Sequence, residues 1–397
     1  MVDLMRKLIL YCLTDGIQSF APVVMWVILP LLFGDSKFAE GYILSYPYQF
    51  IFSIFYSLLF KSQLKYEKRE NKGSGNSYTG LIFLFFVSTL IFVLSVLFYA
   101  TIAGVLGFES GRFEVFCFGT GNLVLDWVFM GIMVRKQYNG AAKSAFVQAY
   151  VWHLSKLVFI YLLSLFVSSE ITLVITLVVY MFVILIWFFG HIDEFGFSVN
   201  AFKFSIEPVS YDLGLTITYL FGINNLSGNG FLAEYNMMSL CTDTQWDVLS
   251  TGIDTNTTLN VADGKYDKSL YYIHIVYSVI LFVSSALLLV IMCFIPVYHD
   301  SLNFGYIWTA FLIEMIWFPL YAIVYTMQGW ITMMSPTILQ GVLNIFKYVL
   351  RTVLTVVIVS EYAVSYAMCV VAVAGNLLYI IMYFYLRRRY KNVSGVT

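Results

Sequence analysis

The stretch "SLCTDTQWDVLSTGIDTN", Ser239 to Asn256, decides how many times this chain crosses a membrane. It carries Asp243, Asp247 and Asp254, spaced four and seven residues apart, which aligns them on one face if the segment is helical. Everything around it has the opposite character. The 397-residue chain is 60% hydrophobic and 11% charged, whereas a soluble protein is roughly 45–50% apolar and about 25% charged. Apolar runs long enough to cross ~30 Å of hydrocarbon, which takes about 20 helical residues, recur along the whole length. The first opens near Leu8 with no small-residue cleavage site behind it, so it reads as a retained helix and not as a signal peptide.

Lengths and flanking breaks predict an all-α polytopic membrane protein with twelve transmembrane helices: 8–33, 41–60, 79–106, 113–134, 145–167, 171–189, 207–225, 231–252, 270–295, 305–327, 335–359 and 362–386. The eighth contains the aspartates and is invisible to hydropathy. Orientation argues for counting it, because Lys and Arg collect in cytoplasmic loops. With the N-terminus inside, "KSQLKYEKRENK" (61–72), "RKQYNGAAK" (135–143), "GKYDK" (264–268) and "RRRYK" (387–391) all fall on the cytoplasmic side, and the opposite loops hold only Lys37 and Arg112. A miscount before any cluster would put that cluster outside. The expected setting is a bacterial plasma (inner) membrane, with both termini cytoplasmic.

The chain also repeats itself. "FAEGY" (38–42) opens the second span and "FLAEY" (231–235) the eighth, and each span runs into a charged loop, "LKYEKREN" or "NVADGKYDKS". This predicts two bundles of six helices, 1–195 and 196–397, meeting near "GHIDEFGF" (190–197). Repeats of this kind mark secondary transporters that hold substrate near the midplane.

"FLAEYNMMSL" (231–240) with "NVADGKYDKS" (260–269) resembles an Ala-containing eighth helix followed by a Gly-containing charged loop. "YTMQGWITMMSPTILQGVLNIFKYVLRT" (325–352) resembles a Gly-containing tenth-to-eleventh junction, and "RRRYK" a basic tail. On these motifs and the six-plus-six layout, the chain is similar to the multidrug and toxic compound extrusion (MATE) transporters of the wider MOP flippase superfamily. It departs from them at Gln328, where the family has Arg before the Gly, and at "MWVILP" (25–30), where the family's first-helix acid is missing and Asp15 stands about three turns earlier. The resemblance implies two bundles around a central cavity, export driven by Na⁺ or H⁺, and coupling carboxylates in the second bundle. The matching positions are Glu207 and Asp212 on the seventh span and Glu314 on the tenth. No organic cofactor is implied.

A charge at a helix centre costs about 2.5–3.5 kcal/mol on insertion scales, so each intramembrane charge needs a partner or a cavity. Asp243 and Asp247 either join Asp212 and Glu314 in a cluster that binds Na⁺ or shares protons, or line a wet vestibule, and Asp254 suits the vestibule better. Na⁺ would sit at Glu314, Asp212 and Asp247. Glu314, alone in "TAFLIEMIWFPL", either couples transport or pairs with Lys347 or Arg351. Asp126, with His153 and Lys156 on the next span, forms either an ion pair or a proton relay. Asp15 either works in the cavity or snorkels to the cytoplasmic interface. His191, His274 and His299 fall near span ends and read as interfacial, and Pro22, Pro30 and Pro319 interrupt their spans.

Five scattered cysteines without a CxxC pair support neither a metal site nor a disulfide framework. No phosphate loop, HExxH or GxSxG stands out, so an enzyme is not expected. The expected partners are an amphipathic small-molecule substrate and membrane lipids, with no nucleic acid, and the chain is expected to act as a monomer. A flippase for lipid-linked oligosaccharide is the competing reading, with Lys156, Lys347 and Arg351 holding a pyrophosphate. A membrane interaction protein that does not transport is the third.

Overall fold

The computed structural model describes residues 2–33, 45, 47–70, 75–105, 113–190, 195–217, 252–262, 269–294, 304–316, 318–334, 338–361, 377–378 and 380–389. Every described element is helical. In chain order they are α1 (Val2–Phe33), α2 (Pro47–Phe55), a π-helical segment (Tyr56–Lys61), α3 (Ser62–Glu70), α4 (Gly75–Leu97), α5 (Tyr99–Val105), α6 (Phe113–Tyr138), α7 (Ala142–Ser164), α8 (Ser169–Phe189), a 3₁₀ turn (Val199–Ser205) and α9 (Ile206–Ile217). A helix over 252–262 is α10. There follow α11 (Ser269–Cys293), α12 (Phe304–Met315), α13 (Phe318–Met334) and α14 (Ile338–Glu361), and a last helix, α15, covers 380–389.

The chain divides into two compact units, Leu13–Ser205 and the described parts of Met1–Cys12 with Ile206–Thr397. Among the described residues, five helical stretches are long and apolar enough to cross a membrane: α4, α6, α7 and α8 in the first unit and Tyr271–Ile291 of α11 in the second.

Within the first unit α6 is the central helix. Its membrane-length window is 72% buried, against 28% for α7 and 33% for α8. The outer helices are patterned inside out. On α8 the exposed stripe is Ile171, Val174, Val178, Phe182, Ile186 and Phe189, while the buried face carries Thr172, Thr176 and Tyr180. On α7, Val147, Val151, Leu154, Val158 and Leu162 point outward and Trp152, His153 and Lys156 point inward. Hydrocarbon solvates leucine as well as a protein core does, so the apolar face turns to lipid and the polar face finds partners inside.

Sequence and structure part at several boundaries. Pro22 and Pro30 do not interrupt the first span, because α1 runs unbroken through both. A proline removes one N–H, and membrane helices tolerate that loss. The break in the tenth span falls before Pro319 and not at it: α13 starts at Phe318, which puts the proline in the first helical turn, where its missing N–H is no loss. The basic stretch 61–72 is not a loop as far as Glu70, since the helical chain of the second span continues through the π segment into α3, and Ser62 to Glu67 are buried. Hydropathy misread it because its polar groups are satisfied inside the unit. Gln63 donates to the Ser198 carbonyl at 3.0 Å and accepts from the Ser198 N–H at 3.2 Å. Glu67 accepts from the Ser77 N–H at 2.7 Å, placing a carboxylate on the N-terminal turn of α4.

Candidate functional site

The first unit buries a charged cluster between α6, α7 and α8. Asn122 and Asp126 sit one turn apart on α6, and Trp152 and Lys156 one turn apart on α7, so the two faces meet as pairs. The Lys156 ammonium donates to Asp126 Oδ1 at 2.6 Å and to Asn122 Oδ1 at 2.7 Å. Asn122 Nδ2 and Trp152 Nε1 complete the carboxylate at 2.7 and 3.2 Å. An ammonium has three protons. Beyond the two oxygens, Lys156 faces the rings of Trp152 and Tyr180, 5.0 and 5.5 Å from their centroids. Trp152 stacks on Phe129 at 4.3 Å, and Tyr180 closes on Trp152 edge to face at 4.8 Å. The pair is therefore neutral overall and enclosed by rings. His153 packs edge to face against Phe129 at 6.4 Å with neither ring nitrogen hydrogen-bonded.

The second unit builds a seam between α9, α13 and α14. Gly214 lets the Tyr348 ring approach so closely that an added Cβ would lie 2.2 Å from it, and a Cβ on Gly341 would lie 2.9 Å from Ile206. Across this contact Gln328 donates to Asn344 Oδ1 at 3.3 Å, and Asn344 donates to Ser210 Oγ at 3.2 Å and the Glu207 carbonyl at 3.4 Å. Lys347 is buried against two aromatic faces, 4.3 Å from the Tyr348 centroid and 5.6 Å from that of Tyr211. The side chains of Glu207 and Asp212 are half-buried on α9.

A second polar chain links α10, α11 and α13. Asn260 donates to Asn256 Oδ1 at 3.3 Å, Asn256 lies 3.2 Å from His274 Nε2, and His274 Nδ1 lies 2.7 Å from Thr326 Oγ1. The Thr326 hydroxyl proton already goes to the Ala322 carbonyl at 2.7 Å. Thr326 must therefore accept from Nδ1–H, which leaves Nε2 bare to accept from the Asn256 amide and makes the imidazole neutral. His274 is thus fully buried and not interfacial. Thr326→Val would strand the Nδ1–H and cost about 1–3 kcal/mol, read as a lower thermal midpoint, while Thr326→Ser should hold the wild-type value.

The fold over the full length decides the likeness. An outward-facing multidrug resistance MATE family transporter of the MOP superfamily superposes with a TM-score of 0.74 over 98% of this chain and 96% of its own, at 12% identity. A MATE structure in a bent conformation gives 0.72 over 99% and 96%, at 15% identity. The chain has the MATE transporter fold. A MOP superfamily transporter from Pyrococcus furiosus, whose binding pocket is described as reversed in polarity, also superposes, with a TM-score of 0.72 over 98% and 97% at 12% identity. No protein-family model and no curated protein matches the sequence. The MATE fold and the apolar helices make this a multi-pass, all-α membrane protein.

The residues nominated from the sequence fall in different parts of that fold. Asp126 and Lys156 meet, and His153 lies beside them. Asp15 is buried and does not snorkel. Glu207 and Asp212 are half-buried on α9, whose Gly214 packs against Tyr348 of α14, the helix that carries Lys347. Asp254 is half-buried at the start of α10. Asp243 and Asp247 lie outside the described residues, as do the side chains of Glu314 and Arg351, although the backbones of the latter two belong to α12 and α14. Among the described residues no three His, Cys, Asp or Glu groups converge as metal ligands. Sequence reasoning missed the neutral partners Asn122, Trp152, Tyr180, Asn344 and Asn256. Charge drew attention, yet the one-turn spacing of Asn122 to Asp126 and of Trp152 to Lys156 was available as a signal.

Proposed function

We propose that this protein is a secondary exporter that exchanges an incoming Na⁺ or H⁺ for an outgoing amphipathic organic solute by alternating access. The observation that carries this reading is the saturation of Lys156. A pyrophosphate-binding flippase would need its interior cations available, and this one is neutralised by Asp126 and shared with Asn122 at 2.6 and 2.7 Å. Coupling is assigned to the acids of the second unit, Glu314 with Asp212, Glu207 and Asp243 or Asp247. Neutralising them would favour one orientation of the transporter and solute would favour the other.

The test is counter-transport in proteoliposomes. Efflux of a fluorescent organic cation under an imposed Na⁺ or H⁺ gradient should be seen with wild type and fall at least about tenfold, the equivalent of 1.4 kcal/mol, with Glu314→Gln. Wild type that moves no solute under either gradient would overturn the reading and leave lipid-linked substrates as the next candidates.

A further inference from the structure

The segment 195–205, where the sequence puts the join between the two bundles, is built inside out. Its first five residues, "FGFSV" (195–199), alternate in exposure. Phe195, Phe197 and Val199 are 66%, 42% and 73% exposed, while Gly196 and Ser198 between them are half-buried. This is the period of extended chain, which sends successive side chains to opposite faces. In water such a segment turns its apolar face to the protein. Here the polar face has that place.

The inward face is fastened by its backbone. The Gly196 N–H donates to Thr79 Oγ1 at 3.1 Å, and Gln63 accepts from the Ser198 N–H at 3.2 Å and donates to its carbonyl at 3.0 Å. Two glycines make room for the crossing. A Cβ on Gly75 would lie 3.2 Å from the Phe195 carbonyl carbon, and one on Gly196 would lie 2.4 Å from Asn76 Oδ1. The 3₁₀ turn that follows buries Ala201 and Phe204, with the Phe204 ring 6.5 Å from that of Tyr66.

The outward face continues a lipid-facing one. Phe197 meets Phe83 edge to face at 5.4 Å, and Phe83 heads the exposed apolar stripe of α4 that runs on through Phe86, Leu90, Leu94 and Leu97. Phe195 meets Tyr78, whose hydroxyl donates to the Phe188 carbonyl, next to the exposed Phe189 that ends the outer stripe of α8. Thus α4 begins and α8 ends at the same membrane surface, and the segment lies beside both ends. We propose that 195–199 is an interfacial strap, which inserts Phe195, Phe197 and Val199 into the boundary between lipid headgroups and acyl chains. Lys203, exposed on the 3₁₀ turn, then stands at headgroup level, the pairing of apolar anchors with a cation that holds interfacial segments. Ile206, directly after the turn, opens α9, so lipid holds the chain where it passes from the first unit to the second. The assignment rests on the membrane fold and on neither the solute nor the coupling ion proposed above.

The experiment is power-saturation EPR of single nitroxide labels on the full chain, its native cysteines replaced by serine, in vesicles of phosphatidylcholine and phosphatidylglycerol. Labels on Phe195→Cys, Phe197→Cys and Val199→Cys should lie about 5–10 Å inside the headgroup boundary and collide more with oxygen than with the polar nickel complex Ni-EDDA. Labels on Glu70→Cys and Lys143→Cys should show the reverse. Both residues are exposed, and the Glu67–Ser77 and Lys68–Asn139 hydrogen bonds place their neighbours at this same surface. Water-like values at 195, 197 and 199 overturn the proposal. So does dipolar broadening between labels, which would mark this face as a contact between two copies of the chain. If the cysteine-free chain does not fold, Phe197→Trp with the cysteines in place carries the test. The emission it adds to that of the eight native tryptophans should be quenched by lipids brominated in the acyl chain, and added emission that is not quenched overturns the strap equally.

Discussion

Asp126→Leu should lower the stability of the protein by about 3–5 kcal/mol, because it leaves the Lys156 ammonium buried with no counter-charge. That ammonium is fully enclosed and rests on Asp126 at 2.6 Å. Lys156→Met should cost a similar amount for the mirror-image reason, leaving a carboxylate held only by Asn122 and Trp152. The informative protein is the double variant Asp126→Leu/Lys156→Met. Replacing both members of a buried pair by apolar groups of similar volume is often neutral, so its thermal midpoint should return most of the way to wild type. A double variant as unstable as either single one would mean that Asn122 and Trp152 need the charges for more than each other. A stable double variant that no longer exports solute would move the cluster from structure to proton relay, with His153 as the next residue to replace.

Gly80→Val should be the most damaging of the glycine substitutions, at about 1–3 kcal/mol. Helix α4 approaches the π segment so closely that a Cβ on Gly80 would lie 2.3 Å from the Leu59 carbonyl oxygen, a backbone atom with no rotamer to change. Gly131→Val is the matched control. Its Cβ would meet a Leu81 methyl at the same 2.3 Å, but that is the end of a side chain that can rotate away. Thermal unfolding of the two variants in one detergent should separate them clearly. Equal midpoints would show that the π segment yields and that the close approach is not what holds it.

The fold was legible because membrane helices announce themselves by length. The runs at α6, α7, α8 and α11 match their predicted spans to within four residues, whereas the third span, expected over 79–106, is divided between α4, which ends at Leu97, and the short α5. The α2–α3 boundary was not legible, because the polar residues that looked like loop are buried against partners far away in sequence, Ser77 and Ser198. Sequence shows that Glu67 is charged but not that a helix terminus awaits it. The site was legible in the same uneven way. Asp126 and Lys156 stood out by insertion cost, and cost implies a partner. Gln137 carries no charge and no such signal, so nothing short of three dimensions shows that it lies beside Asp15. His274 looked interfacial for want of knowing that Asn256 and Thr326 would reach it.

The packing of Trp152 has a spectroscopic consequence. Its indole stacks on Phe129, donates to the Asp126 carboxylate and lies under the Lys156 ammonium. An indole excited state carries a large dipole, so opposite charges fixed this close shift its emission according to where they lie. In a background where the other seven of the eight tryptophans are phenylalanine, Trp152 becomes an optical gauge of the buried pair. The charge state of Asp126 and Lys156 can then be followed by fluorescence in a working membrane, with no dye attached.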